Sequence, residues 1–146
     1  MGKINSKAKG KRGELYVVNK FKDRGYHKAH RTAQFKGNTG QAGDVEGIDY
    51  IHIEVKFKES LNLNEAMEQA INDSSLSENK GFPTVFHKKN NKPLMVTMLF
   101  EDWCTLYDSY YSDMKLKERE ERYEMVEKAK EENGICNSVY DNSGIK

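Results

Sequence analysis

The first helix is predicted where apolar residues begin to recur at helical spacing. Leu15, Val18 and Phe21 follow one another at three-residue steps, and a glycine after them supplies a stop signal, so the pattern predicts an amphipathic helix over 13–24. Residues 1–12 hold few apolar side chains and are rich in Lys, Gly, Ser and Asn. That composition predicts a flexible basic arm before the helix.

Strands are predicted downstream, after a short strand near His30 and a Gly-rich loop over 36–43. Residues 44–48 predict one strand, and residues 51–58 predict a second strand with strict alternation. On this second strand one face is apolar and the other is polar: Ile51, Ile53, Val55 and Phe57 against His52, Glu54 and Lys56. The alternation therefore predicts a strand with an apolar back against the core and a charged front.

The remaining pattern predicts a helix over 64–75 capped by Asn62 or Asn64, a hairpin, and a helix that starts at Asp102. Residues 113–132 carry 8 acids and 6 bases with few apolar positions, which predicts a solvent-exposed helix. Together these elements predict an α/β fold of one main domain. The predicted segments are a basic arm (1–12), a domain (13–111), a charged helical extension (112–132) and a loose tail (133–146).

Composition restricts the partners. The chain of 146 residues suits one domain and has no apolar run long enough for a membrane span. Its two cysteines lack zinc-ligand spacing, which favours free thiols in a reducing cytoplasm. The net charge of +1 is uneven: residues 1–36 hold 11 Lys and Arg against 2 acids, and residues 37–146 hold 13 against 21. A basic end of this kind favours an anionic partner, and we expect nucleic acid.

The candidate chemistry lies on the charged front of the second strand. Glu54 and Lys56 are two residues apart and share a face, and Asp44 opens the neighbouring strand, so Asp44 and Glu54 are expected to converge. Converging carboxylates become favourable around a hard cation such as Mg²⁺. Glu14 is a third acid within possible reach. On spacing alone two plainer interpretations remain. Glu54 and Lys56 could be a solvated pair on the strand surface, and Glu14 could be favoured by the helix dipole.

The ordered set Gly13-Glu14, Gly43-Asp44-Val45 and Ile53-Glu54-Val55-Lys56 resembles the PD-(D/E)xK nuclease superfamily. More narrowly, it is similar to the small Holliday junction resolvases encoded by phages and prophages of bacteria. The likeness spans roughly residues 7–111, including 9–14, 63–70, 85–90 and 94–98. Glycine stands where the superfamily motif places proline before the aspartate. The segment after residue 111 falls outside the resemblance.

The resemblance implies a restriction-endonuclease-like core, a mixed central sheet flanked by helices. It implies that Asp44 and Glu54 bind Mg²⁺ directly, with Mn²⁺ as a substitute, helped by the backbone carbonyl of Val55. Lys56 would be the catalytic lysine, and Glu14 would position metal or water. Gln69 falls where related nucleases place a supporting polar residue, although an ordinary exposed helix residue is the plain alternative.

The implied function is Mg²⁺-dependent resolution of four-way DNA junctions by a homodimer in the cytoplasm, with no membrane partner. The expected contacts to DNA phosphates are basic: Lys7, Lys9, Lys11, Arg12, Arg31, Lys36, His87, Lys88 and Lys89. For the hairpin residues among them, a merely soluble turn is an equal alternative. A nuclease acting on other branched or duplex DNA, and a non-catalytic DNA-binding module, are the rival functions.

Overall fold

The computed structural model describes residues 6–32, 43–77 and 80–134. Within these ranges the chain forms three helices and one five-stranded mixed sheet, which confirms the predicted α/β class. In chain order the elements are α1 (Ser6–Asp23), β1 (His30–Arg31), β2 (Val45–Glu46), β3 (Ile51–Phe57), α2 (Leu63–Leu76), β4 (Phe82–Lys88), β5 (Met95–Met98) and α3 (Phe100–Glu132).

The strands lie in the sheet in sequence order, with β3 in the centre. β1, β2 and β3 pair antiparallel, β3 and β4 pair parallel, and β4 and β5 pair antiparallel as the predicted hairpin. A parallel pair needs a long crossover connection, and α2 supplies it between β3 and β4. β3 is therefore the central strand of the sheet, and both α1 and α2 contact it.

The apolar face of β3 packs against α1, as its alternation predicts. Ile53 is fully buried in a cluster with Val17 and Val18 of α1, and Phe57 packs at the edge of this cluster. Gly13 allows the close approach, because a Cβ built there would lie 3.0 Å from the Phe57 ring. Val18 and Phe21 of the predicted stripe therefore pack in the core beside Val17, whereas Leu15 is exposed at 41%.

The start of α1 differs from the prediction. The helix begins at Ser6, so residues 6–12 of the predicted flexible arm are helical. Lys, Arg and Ala are good helix formers, and they extend the helix outward from the packed segment without needing apolar contacts of their own. The predicted stop is correct, since Gly25 has a positive φ of 91° just after α1.

The polar face of β3 is covered rather than solvated. α2 lies over this face and over β4, with Ala66, Met67 and Ala70 buried against Val85. His52 and Glu54 are consequently about as buried as the apolar core, at 5% and 4% exposure. The plain alternative of a Glu-x-Lys pair on a solvated strand is therefore wrong.

Two local boundaries also differ from the sequence prediction. The side chain of Asn62, not Asn64, caps α2, where it accepts a hydrogen bond from the Glu65 amide at 3.4 Å. β2 is only two residues long instead of spanning 44–48. The chain turns at Gly47, whose φ of 86° and closeness to the Lys28 carbonyl exclude a side chain.

The chain divides into two compact units, residues 1–103 and 104–146. In the second unit the described residues belong mainly to α3, which has no buried residue and carries ion pairs such as Lys115–Glu118. This agrees with the predicted exposed helix over 113–132, although α3 begins at Phe100 and not at Asp102. No helix among the described residues is long and apolar enough to cross a membrane. Residues 1–5 and 135–146 lie outside the described ranges.

Candidate active site

Asp44 lies immediately before β2 and is tied to β3 by two hydrogen bonds. Its amide donates to the Ile53 carbonyl at 2.7 Å, and its Oδ2 accepts from the Val55 amide at 2.7 Å. These bonds hold the carboxylate between the two residues that flank Glu54. Gly43 makes the approach possible, because a Cβ at that position would lie 2.7 Å from the Ile53 carbonyl oxygen.

The electrostatics of Asp44 show that the predicted acids meet here. Burial and the neighbouring carboxylate of Glu54 raise the pKa of Asp44 to about 7, and Glu14 adds to the rise. The hydrogen bond from Val55 and the charge of Lys56 oppose it without cancelling it. The chain has thus assembled more negative charge at one buried point than its own cations compensate, a situation that a bound cation relieves.

Lys56 lies between Glu54 and α2. Its Nζ donates to Glu54 Oε1 at 2.5 Å and to Gln69 Oε1 at 3.0 Å. Gln69 is exposed, and its side-chain oxygen accepts the hydrogen bond from the Lys56 ammonium. The structure thus brings together three of the predicted residues on the polar face of β3 and the helix that covers it.

Glu14 reaches the same region from α1 and is held by Arg31. Arg31 Nε and Nη2 lie 2.6 and 2.5 Å from Glu14 Oε2. Because α1 begins at Ser6, Glu14 lies more than two turns into the helix, and the charge at the helix N-terminus does not account for it. The ion pair occupies the Arg31 guanidinium, and the contact of Arg31 with DNA stays a prediction.

The carbonyl of Val55 faces the same side as the carboxylates. In an antiparallel pair the amide and carbonyl of one residue point to the same neighbouring strand. Since the Val55 amide reaches Asp44, the Val55 carbonyl is directed toward the β2 side of β3 as well. This direction agrees with the role that the resemblance implies for that backbone oxygen.

The basic residues predicted to contact DNA lie in two places. Lys7, Lys11 and Arg12 are exposed on α1, Lys9 is half-buried there, and Lys36 lies outside the described residues. In the hairpin, His87 Nε2 lies 2.9 Å from Thr97 Oγ1, and desolvation lowers the His87 pKa. A neutral imidazole offers hydrogen bonds to a phosphate but no charge, so Lys88 and Lys89 carry the positive charge of this turn.

A further cluster was not anticipated from the sequence. His52, Glu54 and Asp73 each offer one ligand atom, and these atoms all lie within 4.8 Å of one another, so the three residues could hold a metal ion. Burial lowers the pKa of His52, which favours the neutral, metal-binding form of its imidazole. The sequence contains an indication of Asp73, because this residue follows Gln69 by four positions and therefore lies on the same face of the helix.

No known protein family matches the chain, and no curated protein is significantly similar to it. A fold hosts many unrelated functions, so function must be argued from the arrangement of side chains. The arrangement here is three acids, a lysine and a glutamine around the central strand of the sheet, with a basic helix beside it.

Proposed function

We propose that the protein is a Mg²⁺-dependent, structure-selective DNA endonuclease that resolves four-way junctions. The single observation that carries the proposal is the convergence of Asp44 and Glu54, from two strands, beside the Lys56 ammonium. Buried acids that repel each other cost stability, and proteins keep such arrangements mainly where chemistry needs them. The ordered resemblance to PD-(D/E)xK nucleases assigns that chemistry to phosphodiester hydrolysis, on a restriction-endonuclease-like core.

The donor set fits Mg²⁺. Asp44, Glu54 and the Val55 carbonyl offer only oxygen atoms, which Mg²⁺ prefers, and the pKa of Asp44 is raised first by burial and then by the neighbouring carboxylate of Glu54. When bound, Mg²⁺ would polarise the phosphodiester and lower the pKa of a water ligand. Glu14 would support the site from α1. Mn²⁺ takes the same oxygen ligands and is expected to substitute.

Lys56 and Gln69 have different roles in the proposed reaction. The Lys56 ammonium supplies positive charge near the phosphate, where negative charge develops as water attacks. Gln69 is a positioning residue that keeps the ammonium at the polar face of β3. In the overall reaction a water oxygen bonds to phosphorus, one P–O ester bond breaks, and the products are a phosphate monoester and a hydroxyl end.

Substrate binding would use the basic surface of α1. Lys7, Lys11 and Arg12 are exposed on the helix that also carries Glu14, so a phosphate backbone held along α1 passes close to the acids. A four-way junction requires two symmetric nicks. A homodimer with one active site in each chain supplies them, because two-fold symmetry in the enzyme matches that of the junction.

The test is cleavage of a strand-labelled four-way junction in Mg²⁺, beside linear duplex and flap DNA of the same sequences. Glu54→Gln is the matched variant, since it keeps the shape of the side chain and removes its charge. We expect paired symmetric nicks in the junction alone, lost in Glu54→Gln and in EDTA. The same variant is expected to retain junction binding in a gel-shift assay in Ca²⁺.

Other outcomes separate the rival functions. Cleavage of flap or duplex DNA that Glu54→Gln abolishes would keep the nuclease site and replace the substrate. Tight junction binding without any cleavage in Mg²⁺ or Mn²⁺ would contradict the enzyme and favour a DNA-binding module. Cleavage that survives in Glu54→Gln at the wild-type rate would contradict the assigned site.

A further inference from the structure

We propose that His52, Glu54 and Asp73 form a second cation site, which binds a first-row transition-metal dication beside the Asp44 cluster. Glu54 belongs to both groups, with Asp44 and Lys56 on one side and His52 and Asp73 on the other. The proposal does not depend on the nuclease function, because His52 and Asp73 have no part in the proposed DNA chemistry and metal binding can be measured without DNA.

The geometry is close to that of an occupied site. Ligand atoms at about 2.0–2.2 Å from one ion lie no more than about 4.4 Å apart. The three ligand atoms here lie within 4.8 Å of one another, so small side-chain rotations would bring all three to binding distance of one ion. Two ligands come from the rigid central strand and the third from α2, which places them on well-packed elements instead of a loop.

The second observation is that His52 is buried with one unpaired ring nitrogen. Its ring is buried at 5% exposure, and its Nε2 has no hydrogen-bond partner among the residues that the structure describes. A buried polar nitrogen without a partner costs about 1–3 kcal/mol, so native proteins rarely leave one unused. The carboxylate of Asp73 likewise has no salt bridge to a described residue. A cation would satisfy both groups at once.

The ligand types select the kind of ion. An imidazole nitrogen with two carboxylates suits Zn²⁺, Co²⁺ or Mn²⁺, whereas the all-oxygen set around Asp44 suits Mg²⁺. The two sides of Glu54 therefore differ in metal preference. His52 also lines an open cleft of about 820 Å³ together with Ser77 and Lys80.

The test is Co²⁺ binding to the EDTA-stripped full chain, followed by calorimetry and by the visible absorption of bound Co²⁺. Asp44→Asn serves as the background, because it disables the neighbouring site. We expect this background to bind Co²⁺ and to lose at least tenfold in affinity when Asp73→Asn or His52→Gln is added. Asp49→Asn, at an exposed turn residue, is the control and is expected to change nothing.

The failures of the two proposals are distinguishable. Equal Co²⁺ binding with and without Asp73→Asn, in variants whose circular dichroism is native, would overturn the second site and leave the nuclease proposal intact. Binding that disappears in Asp44→Asn alone would also overturn it, since all bound metal would then belong to the first site. Loss of junction cleavage with Co²⁺ binding retained would affect only the proposed function.

Discussion

The two faces of β3 are equally buried and chemically opposite. One presents Ile53 to α1 at 0% exposure, and the other presents Glu54 to α2 at 4% exposure. The apolar face is what folding alone would select, because burying it removes hydrocarbon from water. The polar face places acids where their charge is costly. One face of the strand thus serves stability, and we propose that the other serves cation binding.

The largest expected effect tests the apolar face. Ile53→Ala removes three carbons from a fully packed site, and the free energy of unfolding is expected to fall by about 2–5 kcal/mol. Urea denaturation followed by circular dichroism measures it. Val96→Ala, at a half-exposed residue of β5, is the control with an expected change of about 0.5 kcal/mol or less. Equal losses in the two variants would mean that Ile53 is not in the core.

The next effect has the opposite sign and tests the polar face. Asp44→Asn keeps a hydrogen-bond acceptor for the Val55 amide and removes a charge. Because the fold raises the pKa of Asp44 from 3.8 to about 7, its favourable contribution is complete below pH 4 and is lost as the pH rises through 7. We therefore expect the metal-free Asn variant to gain stability over the wild type between pH 5 and pH 8.

That gain is expected to reach on the order of 3 kcal/mol at pH 8. The measurement is urea denaturation of both proteins in EDTA at pH 5 and pH 8. At each pH the free energy of unfolding of the wild type is subtracted from that of the variant, which cancels the contribution of the other titrating groups. A variant that is less stable than the wild type by the same amount at both pH values would show that Asp44 is a purely structural carboxylate.

The smallest effect concerns the support of Lys56. Gln69→Ala removes the 3.0 Å contact to the Lys56 ammonium from an exposed helix position. We expect a stability change below about 1 kcal/mol, with a fall in the junction cleavage rate of about tenfold and little change in DNA affinity. Glu68→Ala, at the adjacent exposed residue, is the control. A cleavage rate unchanged in Gln69→Ala would assign Gln69 no positioning role.

The sequence predicted the parts of the fold that a period-2 or period-3.6 pattern encodes. The alternation over 51–58 indicated both faces of β3, and the apolar spacing on α1 indicated the packed positions Val18 and Phe21, although Leu15 is exposed. The start of α1 was missed, because residues 6–12 are helical through propensity and not through apolar contacts. The spacing of apolar residues therefore does not indicate the first seven residues of this helix.

The candidate site was predictable where its residues lie on one strand or its neighbour. Asp44 and Glu54 could be placed together from strand pairing, and the structure pairs Val45 with Ile53 accordingly. The burial of Glu54 and the contribution of Asp73 depend on how α2 lies over the sheet. That placement is a tertiary property, and local spacing does not encode it.

The most direct test of the central claim, that the polar face of β3 exchanges stability for cation binding, is the melting temperature at pH 8 with and without Mg²⁺. We expect Mg²⁺ to raise the wild-type melting temperature, by an amount that grows with the logarithm of its concentration, and to leave Asp44→Asn unchanged from its higher starting value. A wild-type melting temperature that Mg²⁺ does not move, or an equal rise in Asp44→Asn, would contradict it.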